Sequence, residues 1–268
     1  MDIITKITKS KREYSVTLND EIVLRLDKKV LDKLSLFEEV DREELVKESY
    51  DYLYDKGLNL ALNYLSYAAR CENEVVEYLS KKHFPDIVVN DILNRLLELK
   101  DVNDEDYIES YVSSKSCALI GRNKMKNDLI KKGIDIEKIS KVLERCFSEE
   151  EERDNLIKFI KKNNLKHKDL FYREKKEKTA NAAVRKGYDY RLINSLIDDY
   201  LTEEENLIEN EKVRENIRKK FFKYLDKGED LIETKYKVYS FFMRKGYNEE
   251  VLNSVYEEIL NDMLDEQE

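Results

Sequence analysis

The sequence predicts a mainly α fold, an array of tandem three-helix repeats behind a small N-terminal antiparallel β-meander. Three observations carry that prediction. The 268 residues include one Pro and six Gly, with 40 % charged and 41 % hydrophobic residues. Few forced turns favour long helices, and so little apolar material suits several small cores in a row better than one large core. Near Asp41 the apolar spacing changes from two residues to three or four. Finally, a helix-ending pattern of cations, a breaker and one large apolar residue recurs at Lys82-His83-Phe84, Lys132-Gly133-Ile134, Lys186-Gly187-Tyr188 and Lys245-Gly246-Tyr247, at spacings of 50, 54 and 59 residues. Aligned on the breaker, Val89, Ile139, Ile193 and Leu252 share one column, and Ile92, Val142, Leu196 and Val255 the next. The third and fourth copies also share Asn194-Ser195 and Asn253-Ser254. A period of this length marks a repeat array, an architecture suited to gripping something long.

Taken in order, residues 1–40 form the meander and its connection. Ile3, Ile4 and Ile7, then Tyr14, Val16 and Leu18, then Ile22, Leu24 and Leu26 give three short β-favouring runs. Turn-forming Lys9-Ser10-Lys11 and Asn19-Asp20 separate them, and the sheet ends near Asp27. So small a sheet has to lean on something. Leu31, Leu34 and Leu36 begin the connection. Residues 41–102 hold a leading helix, with Leu45, Tyr50, Leu53 and Tyr54 on one stripe and Gly57 stopping or bending it, and then the first repeat from about Leu58. Repeat 2 spans 103–148, repeat 3 spans 149–201, and repeat 4 spans 202–268 with an acidic C-terminal end. The fourth repeat's first helix is predicted from Glu203 to about Leu225.

The net charge of −9 is unevenly distributed. Between Lys158 and Arg191 twelve Lys or Arg face four Asp or Glu, whereas Glu257 to Glu268 hold six carboxylates and no cation. Such segregation gives one face or end a positive potential despite the acidic average. Cys71, Cys117 and Cys146 are odd in number and lack metal-ligand spacing, which reads as reduced, buried thiols in predicted helices. Neither a signal-peptide run nor a stretch of roughly 20 apolar residues occurs, so the expectation is a cytoplasmic protein without membrane contact.

The residues offer little for catalysis. Glycine-rich phosphate loops are missing, since Gly121 and Gly133 are isolated. His83 stands where a helix-capping glycine is expected and His167 lies in a lysine-rich stretch, neither near a Cys or carboxylate pair at ligand spacing. The acidic runs Glu149 to Asp154 and Glu203 to Glu205 lie where carboxylates favour a helix N-terminus. The expectation is a binder with no catalytic residues, no metal and no cofactor.

The second repeat carries the most specific string. Asp104-Glu105-Asp106-Tyr107-Ile108-Glu109-Ser110-Tyr111-Val112, then Gly121-Arg122-Asn123-Lys124-Met125 and Leu129-Ile130-Lys131-Lys132-Gly133-Ile134, resembles the central signature of the RecX family. Ala61-Leu62-Asn63-Tyr64-Leu65-Ser66 with Arg70, Glu74 and Val75 resembles the same family's first repeat, and the meander resembles the extension on its longer members. The chain departs from the family pattern at Arg122, where proline is usual, at Cys71, at His83 and at Tyr67-Ala68. The resemblance implies an elongated, curved, non-catalytic regulator of the recombinase RecA. Such a protein binds the RecA filament on single-stranded DNA as a monomer, with double-stranded DNA as a further expected partner, and restrains filament growth, ATP hydrolysis and strand exchange. A sequence-tolerant DNA-binding array independent of RecA is the alternative, and a helical scaffold for an unrelated partner is a third reading.

Candidate contact residues are the cations. Lys81 and Lys82, Lys131 and Lys132, Arg185 and Lys186, and Arg244 and Lys245 flank the breakers. They read either as helix C-caps favoured by the macrodipole or as caps that also contact a phosphate or acidic partner. Arg122, Lys124 and Lys126 stand at a helix start, where the dipole disfavours cations and exposed N–H groups would welcome phosphate. With Arg70 they read as contact or plain surface. Lys166, Lys168, Arg173, Lys175, Lys176 and Lys178 form the densest basic stretch, around Phe171 and Tyr172, and read as contact or a solvated face. Tyr64, Tyr78, Tyr107 and Tyr111 fall on apolar stripes and read as core rather than base-stacking groups.

Overall fold

The computed structural model describes residues 1–10, 14–168, 170–202 and 211–265. The chain opens with β1 (Asp2–Lys9), β2 (Tyr14–Leu18) and β3 (Ile22–Arg25), antiparallel neighbours as the alternation predicts. Asn19 and Asp20 turn the β2–β3 corner at φ of 52° and 63°, a left-handed conformation their short polar side chains tolerate. Lys11 of the expected first turn lies outside the described residues. The sheet is larger than the expected three strands: β4 (Glu39–Val40) pairs with β1, giving the order β3-β2-β1-β4. Two residues are too few to show a period, so only pairing reveals this strand. Ile4, Val16, Leu18, Leu24 and Leu26 are buried under Val30 and Leu31 of α1 (Lys28–Leu31) and Leu45 of α2 (Arg42–Tyr67). The sheet thus leans on helices, as its size requires.

Of the two roles expected for Gly57, stopping or bending the helix, α2 rules out the stop. It runs unbroken for 26 residues, so the leading helix and the first helix of the first repeat are one element. Gly57 is there for contact: a Cβ on it would lie 2.5 Å from Ile92 Cδ1 and 3.2 Å from Phe84 Cε1. Eleven helices follow among the described residues. They are α3 (Glu72–Ser80), α4 (Asp86–Glu98), α5 (Asp104–Cys117), α6 (Arg122–Lys131), α7 (Ile136–Cys146), α8 (Glu149–Lys166), α9 (Tyr172–Arg185), α10 (Tyr190–Tyr200), α11 (Glu211–Leu225), α12 (Leu231–Arg244) and α13 (Glu249–Asp265). Residues 203–210, the predicted start of the fourth repeat's first helix, lie outside the described residues.

Helices α3, α6, α9 and α12 all end at a breaker. His83, Gly133, Gly187 and Gly246 have φ of 62°, 82°, 91° and 92°. The next residue's N–H reaches back to the helix: Phe84 to Leu79 O at 3.3 Å, Ile134 to Leu129 O at 3.4 Å, Tyr188 to Ala183 O and Tyr247 to Phe242 O at 3.2 Å each. This is the Schellman arrangement, which seats the following apolar residue inward. Phe84, Ile134, Tyr188 and Tyr247 are accordingly buried, and the two aligned columns from α4, α7, α10 and α13 are no more than 1 % exposed.

By compactness the chain forms two units, Met1–Ser113 with Lys126–Cys146, and Ser114–Met125 with Phe147–Glu268. In the first, Leu53, Ala61, Val75, Leu79, Val88 and Leu96 join the columns to make the α2–α4 core. In the second, one core gathers Leu156, Ile160 and Ala183 around the α10 column, and another gathers Val213, Ile217, Phe221 and Val238 around the α13 column. The cysteines differ from expectation. None of the three is in a disulfide, but only Cys71 is buried, Cys146 is partly exposed and Cys117 is exposed. Cys71 moreover precedes α3 as its N-cap rather than lying within a helix.

Candidate partner-binding surface

The geometry around the breakers explains why they recur. In the first unit Gly133 sits on the start of α3, where a Cβ would come within 2.4 Å of Asn73 Nδ2. The Lys132 carbonyl beside it accepts from Asn73 Nδ2 at 3.0 Å and from Cys71 Sγ at 3.6 Å. In the second unit Gly187 sits on the start of α6, where a Cβ would lie 2.4 Å from Lys124 Cβ and 2.5 Å from its N. Gly246 sits likewise on the start of α9, 2.7 Å from Arg173 Cβ. The first copy has no preceding helix, so Arg25 of β3 takes that part. It donates from N to His83 O and from Nε to Lys82 O, both at 3.0 Å, with its guanidinium over the Phe84 ring. Each breaker is therefore a joint as well as a stop.

Several candidate cations prove to be parts of these joints. Lys132 donates to Glu74 Oε1 at 2.7 Å and lies over the Tyr107 ring. Burial alone would lower the Lys132 ammonium's pKa, but its hydrogen bonds to Glu74 and Tyr107 outweigh that and raise it. Burial likewise pushes the Glu74 carboxyl up, and its bonds from Lys132 and from the Cys71 backbone bring it below the usual carboxylate value. Lys186 donates to Ala118 O at 3.3 Å. Lys82 lies 5.0 Å over the Tyr78 ring, while exposed Lys81 pairs with Glu77 on its own helix at 2.9 Å. Arg70 lies 4.5 Å over the Tyr64 ring and 3.9 Å from Glu74.

The start of α6 corrects the phosphate reading. Its first amides are already filled: Gly121 N donates to Lys186 O at 2.8 Å, Arg122 N to Glu152 Oε1 at 2.8 Å, and Asn123 N to Gly187 O at 3.1 Å. The Arg122 guanidinium bonds Glu152 Oε2 at 3.2 Å and the Phe147 carbonyl. A cation at this helix start is tolerated because a buried carboxylate from α8 neutralises it, and the amides of Gly121, Arg122 and Asn123 are taken. The start of α3 has the same device, with Asp104 Oδ1 accepting from Glu72 N at 2.9 Å and Lys138 bridging Glu72 and Asp104. Sequence reasoning missed Asp104 and Glu152 as joint carboxylates. The signal was available, since each lies at the first turn of a helix that opens a repeat. Lys126 donates to Ser140 Oγ at 3.1 Å, and Lys124 keeps an exposed side chain with no ion pair among the described residues.

The basic stretch of the second unit is divided in the same way. Lys175 is only 1 % exposed, and its ammonium donates to Thr202 O at 2.6 Å and Asn164 Oδ1 at 3.2 Å. It is structural, which corrects its reading as a contact residue. Lys176 pairs with Asp198 at 2.5 Å and Lys178 with Glu174 at 2.9 Å. Lys166, Lys168, Arg173 and Arg185 are exposed without an ion pair among the described residues, as is Lys131 in the first unit. Residue 169 lies outside the described residues. The four tyrosines expected in the core are only half-buried, and each meets a charged group: Tyr64 Arg70, Tyr78 Lys82, Tyr107 Lys132, and Tyr111 Asp128 at 3.1 Å. Burial and the Asp128 carboxylate push the Tyr111 hydroxyl up to about 12.

Among the described residues no group of His, Cys, Asp or Glu is arranged to hold a metal ion, and no helix is long and apolar enough to cross a membrane. What the geometry offers, within each unit, is helices joined at the breaker turns and a subset of exposed cations without an ion pair among the described residues. The family profile for the first three-helix domain of RecX matches residues 58–96. The chain is similar to the regulatory protein RecX of Bacillus subtilis (strain 168), 30 % identical over 264 residues that cover 96 % of this chain and 99 % of that one. It is also similar to the regulatory protein RecX of Bacillus velezensis, 28 % identical over 254 residues that cover 92 % and 95 % of the two chains. The crystal structure of RecX from Lactobacillus salivarius matches with a TM-score of 0.52 at 29 % identity, covering 56 % of this chain and 97 % of that one. With a relative 30 % identical along nearly its whole length, the chain belongs to the RecX family of regulatory proteins.

Proposed function

We propose that this chain is a non-catalytic, cytoplasmic regulator of RecA that acts as a monomer, binding the RecA filament on single-stranded DNA and restraining its growth, ATP hydrolysis and strand exchange. The observation that carries this reading is the end-to-end similarity to regulatory RecX proteins, which spans 96 % of the chain. The division into residues 1–40, 41–102, 103–148, 149–201 and 202–268 belongs to the same reading, with one joint between successive repeats. A jointed array offers a long surface for a long partner. The contacting cations are then the exposed ones without an ion pair among the described residues, Lys124, Lys131, Lys166, Lys168, Arg173 and Arg185.

ATP hydrolysis by RecA on single-stranded DNA, followed with and without the chain, tests the reading. A falling rate as the chain is added is expected, and an unchanged rate at several-fold molar excess would sink it. Lys166→Glu with Lys168→Glu should weaken binding to the filament while leaving the thermal transition nearly unmoved, because both side chains are exposed and neither has an ion pair among the described residues. Undiminished filament binding by that variant would return both lysines to plain surface.

A further inference from the structure

The second unit contains a cavity of about 310 Å³ lined by Lys178, Lys219, Lys220, Lys223 and Lys245, with Glu174 the only carboxylate on its wall among the described residues. We propose that this cavity is a phosphate-binding site, taking clustered phosphates either from the backbone of a nucleic-acid strand or from a free polyphosphate. Several observations converge on it. Five lysines line the cavity beside one carboxylate, and that carboxylate is already used: Glu174 accepts from Lys245 at 2.6 Å, from Lys178 at 2.9 Å and from Tyr247 Oη at 3.1 Å, while Lys219 pairs with Glu215 on its own helix at 2.6 Å. Burial pushes the Glu174 carboxyl up, but the bonds from Lys245 and Lys178 outweigh it and hold it below the usual value, so the group stays anionic and occupied. Lys220 has no carboxylate partner among the described residues, and its ammonium rests 3.9 Å over the Phe241 ring. Lys223 is exposed without an ion pair among them. Like charges held this close raise the local potential, which a bound anion relieves.

The lining also decides the kind of anion. Apart from Asn216, its free polar side chains only donate, because Glu174 is spent. A phosphate group brings only acceptors and fits such a wall, whereas an acidic peptide brings amide N–H groups for which Asn216 alone offers a free side-chain acceptor among the described residues. Lysines also suit phosphate as point charges that need no fixed fork geometry. The sequence pattern had drawn attention to Lys178 and Lys245, but Lys219, Lys220 and Lys223 on α11 join them only in the fold.

The inference goes beyond the regulatory reading, and its test contains no recombinase, so failure of either leaves the other standing. The full chain is titrated into a fluorescein-labelled oligothymidylate and read by anisotropy over a range of salt, and sodium tripolyphosphate is titrated in by calorimetry. Lys220→Gln with Lys223→Gln should bind the ligand on the order of tenfold more weakly. For the oligonucleotide the slope of log K against log salt should be smaller by about 1.4, two single-strand phosphate contacts at ~0.7 each. If that variant unfolds, Lys219→Gln with Lys223→Gln replaces it, since both side chains are exposed. Loss confined to the oligonucleotide identifies a strand backbone, and loss of tripolyphosphate binding identifies a free polyphosphate. Unchanged binding of both ligands by a folded variant overturns the site. Displacement of the oligonucleotide by poly-glutamate as readily as by unlabelled oligothymidylate at equal charge overturns its preference for phosphate.

Discussion

Gly187 does two jobs that can be measured separately. Its φ of 91° asks for a residue without a Cβ, and its contact with Lys124 leaves no room for one, 2.5 Å from a backbone N. Gly228, after α11, has a φ of 83° but nothing within 4 Å. Gly228→Ala should therefore cost about 1–2 kcal/mol, the conformational penalty alone. Gly187→Ala should cost that plus about 1–3 kcal/mol for forcing two backbones apart. Denaturant unfolding of the two variants checks the difference, and equal losses would show that the joint yields freely. At this scale much was legible: a glycine between a cation and a large apolar residue signals a helix stop. The second role was not, because Lys124 lies 63 positions before Gly187 and no local pattern links them.

Among elements, the joints between α3 and the Gly133 turn and between α6 and the Gly187 turn both rely on a buried carboxylate that caps a helix start. Glu152→Leu should remove the acceptor of the Arg122 backbone N–H and leave its half-buried guanidinium without its ion-pair partner. The expected loss is about 2–4 kcal/mol. The double variant Arg122→Leu with Glu152→Leu should recover part of it, since an absent pair is less harmful than half a pair. Thermal or denaturant unfolding of the single and double variants decides this, and additive losses would sink the account. The helices themselves could be read from the sequence because breaker alignment put Val89, Ile139, Ile193 and Leu252 in one column, and all four are buried. The unbroken α2 could not, because Gly57 looks like punctuation and acts as a contact. Nor could the division of the basic stretch, where Lys175 and Lys176 are adjacent yet one is buried and the other half-exposed. Helix facing, rather than composition, sorted them.

For the whole molecule, Glu74 in one unit and Glu174 in the other share a pH signature. Both carboxyls titrate below their ordinary value of 4.5 in the fold, so each binds its proton more readily in the unfolded chain. Their contribution to stability is complete above that ordinary value and is lost as pH falls through the lower folded values. Calorimetric melts from about pH 7 to about pH 3 should show a declining midpoint on the acid side. Glu174→Gln should melt lower at neutral pH and converge on the parent protein in acid. A constant gap across the range would mean that the Lys245 and Lys178 bonds do not depend on the Glu174 charge.

The joint at each breaker also bears on how such a chain gains or loses length. Gly133, Gly187 and Gly246 all dock on the opening turn of an earlier helix, so α3, α6 and α9 carry a socket at their start and α6, α9 and α12 a plug at their end. A duplicated segment of about one period arrives with both, ready to join its neighbours without any new interface having to evolve. The shared Asn194-Ser195 and Asn253-Ser254 of the third and fourth copies are what such a duplication would leave behind. The breaker is in this sense a coupling standard, and it makes the number of repeats the easiest property of this protein to change.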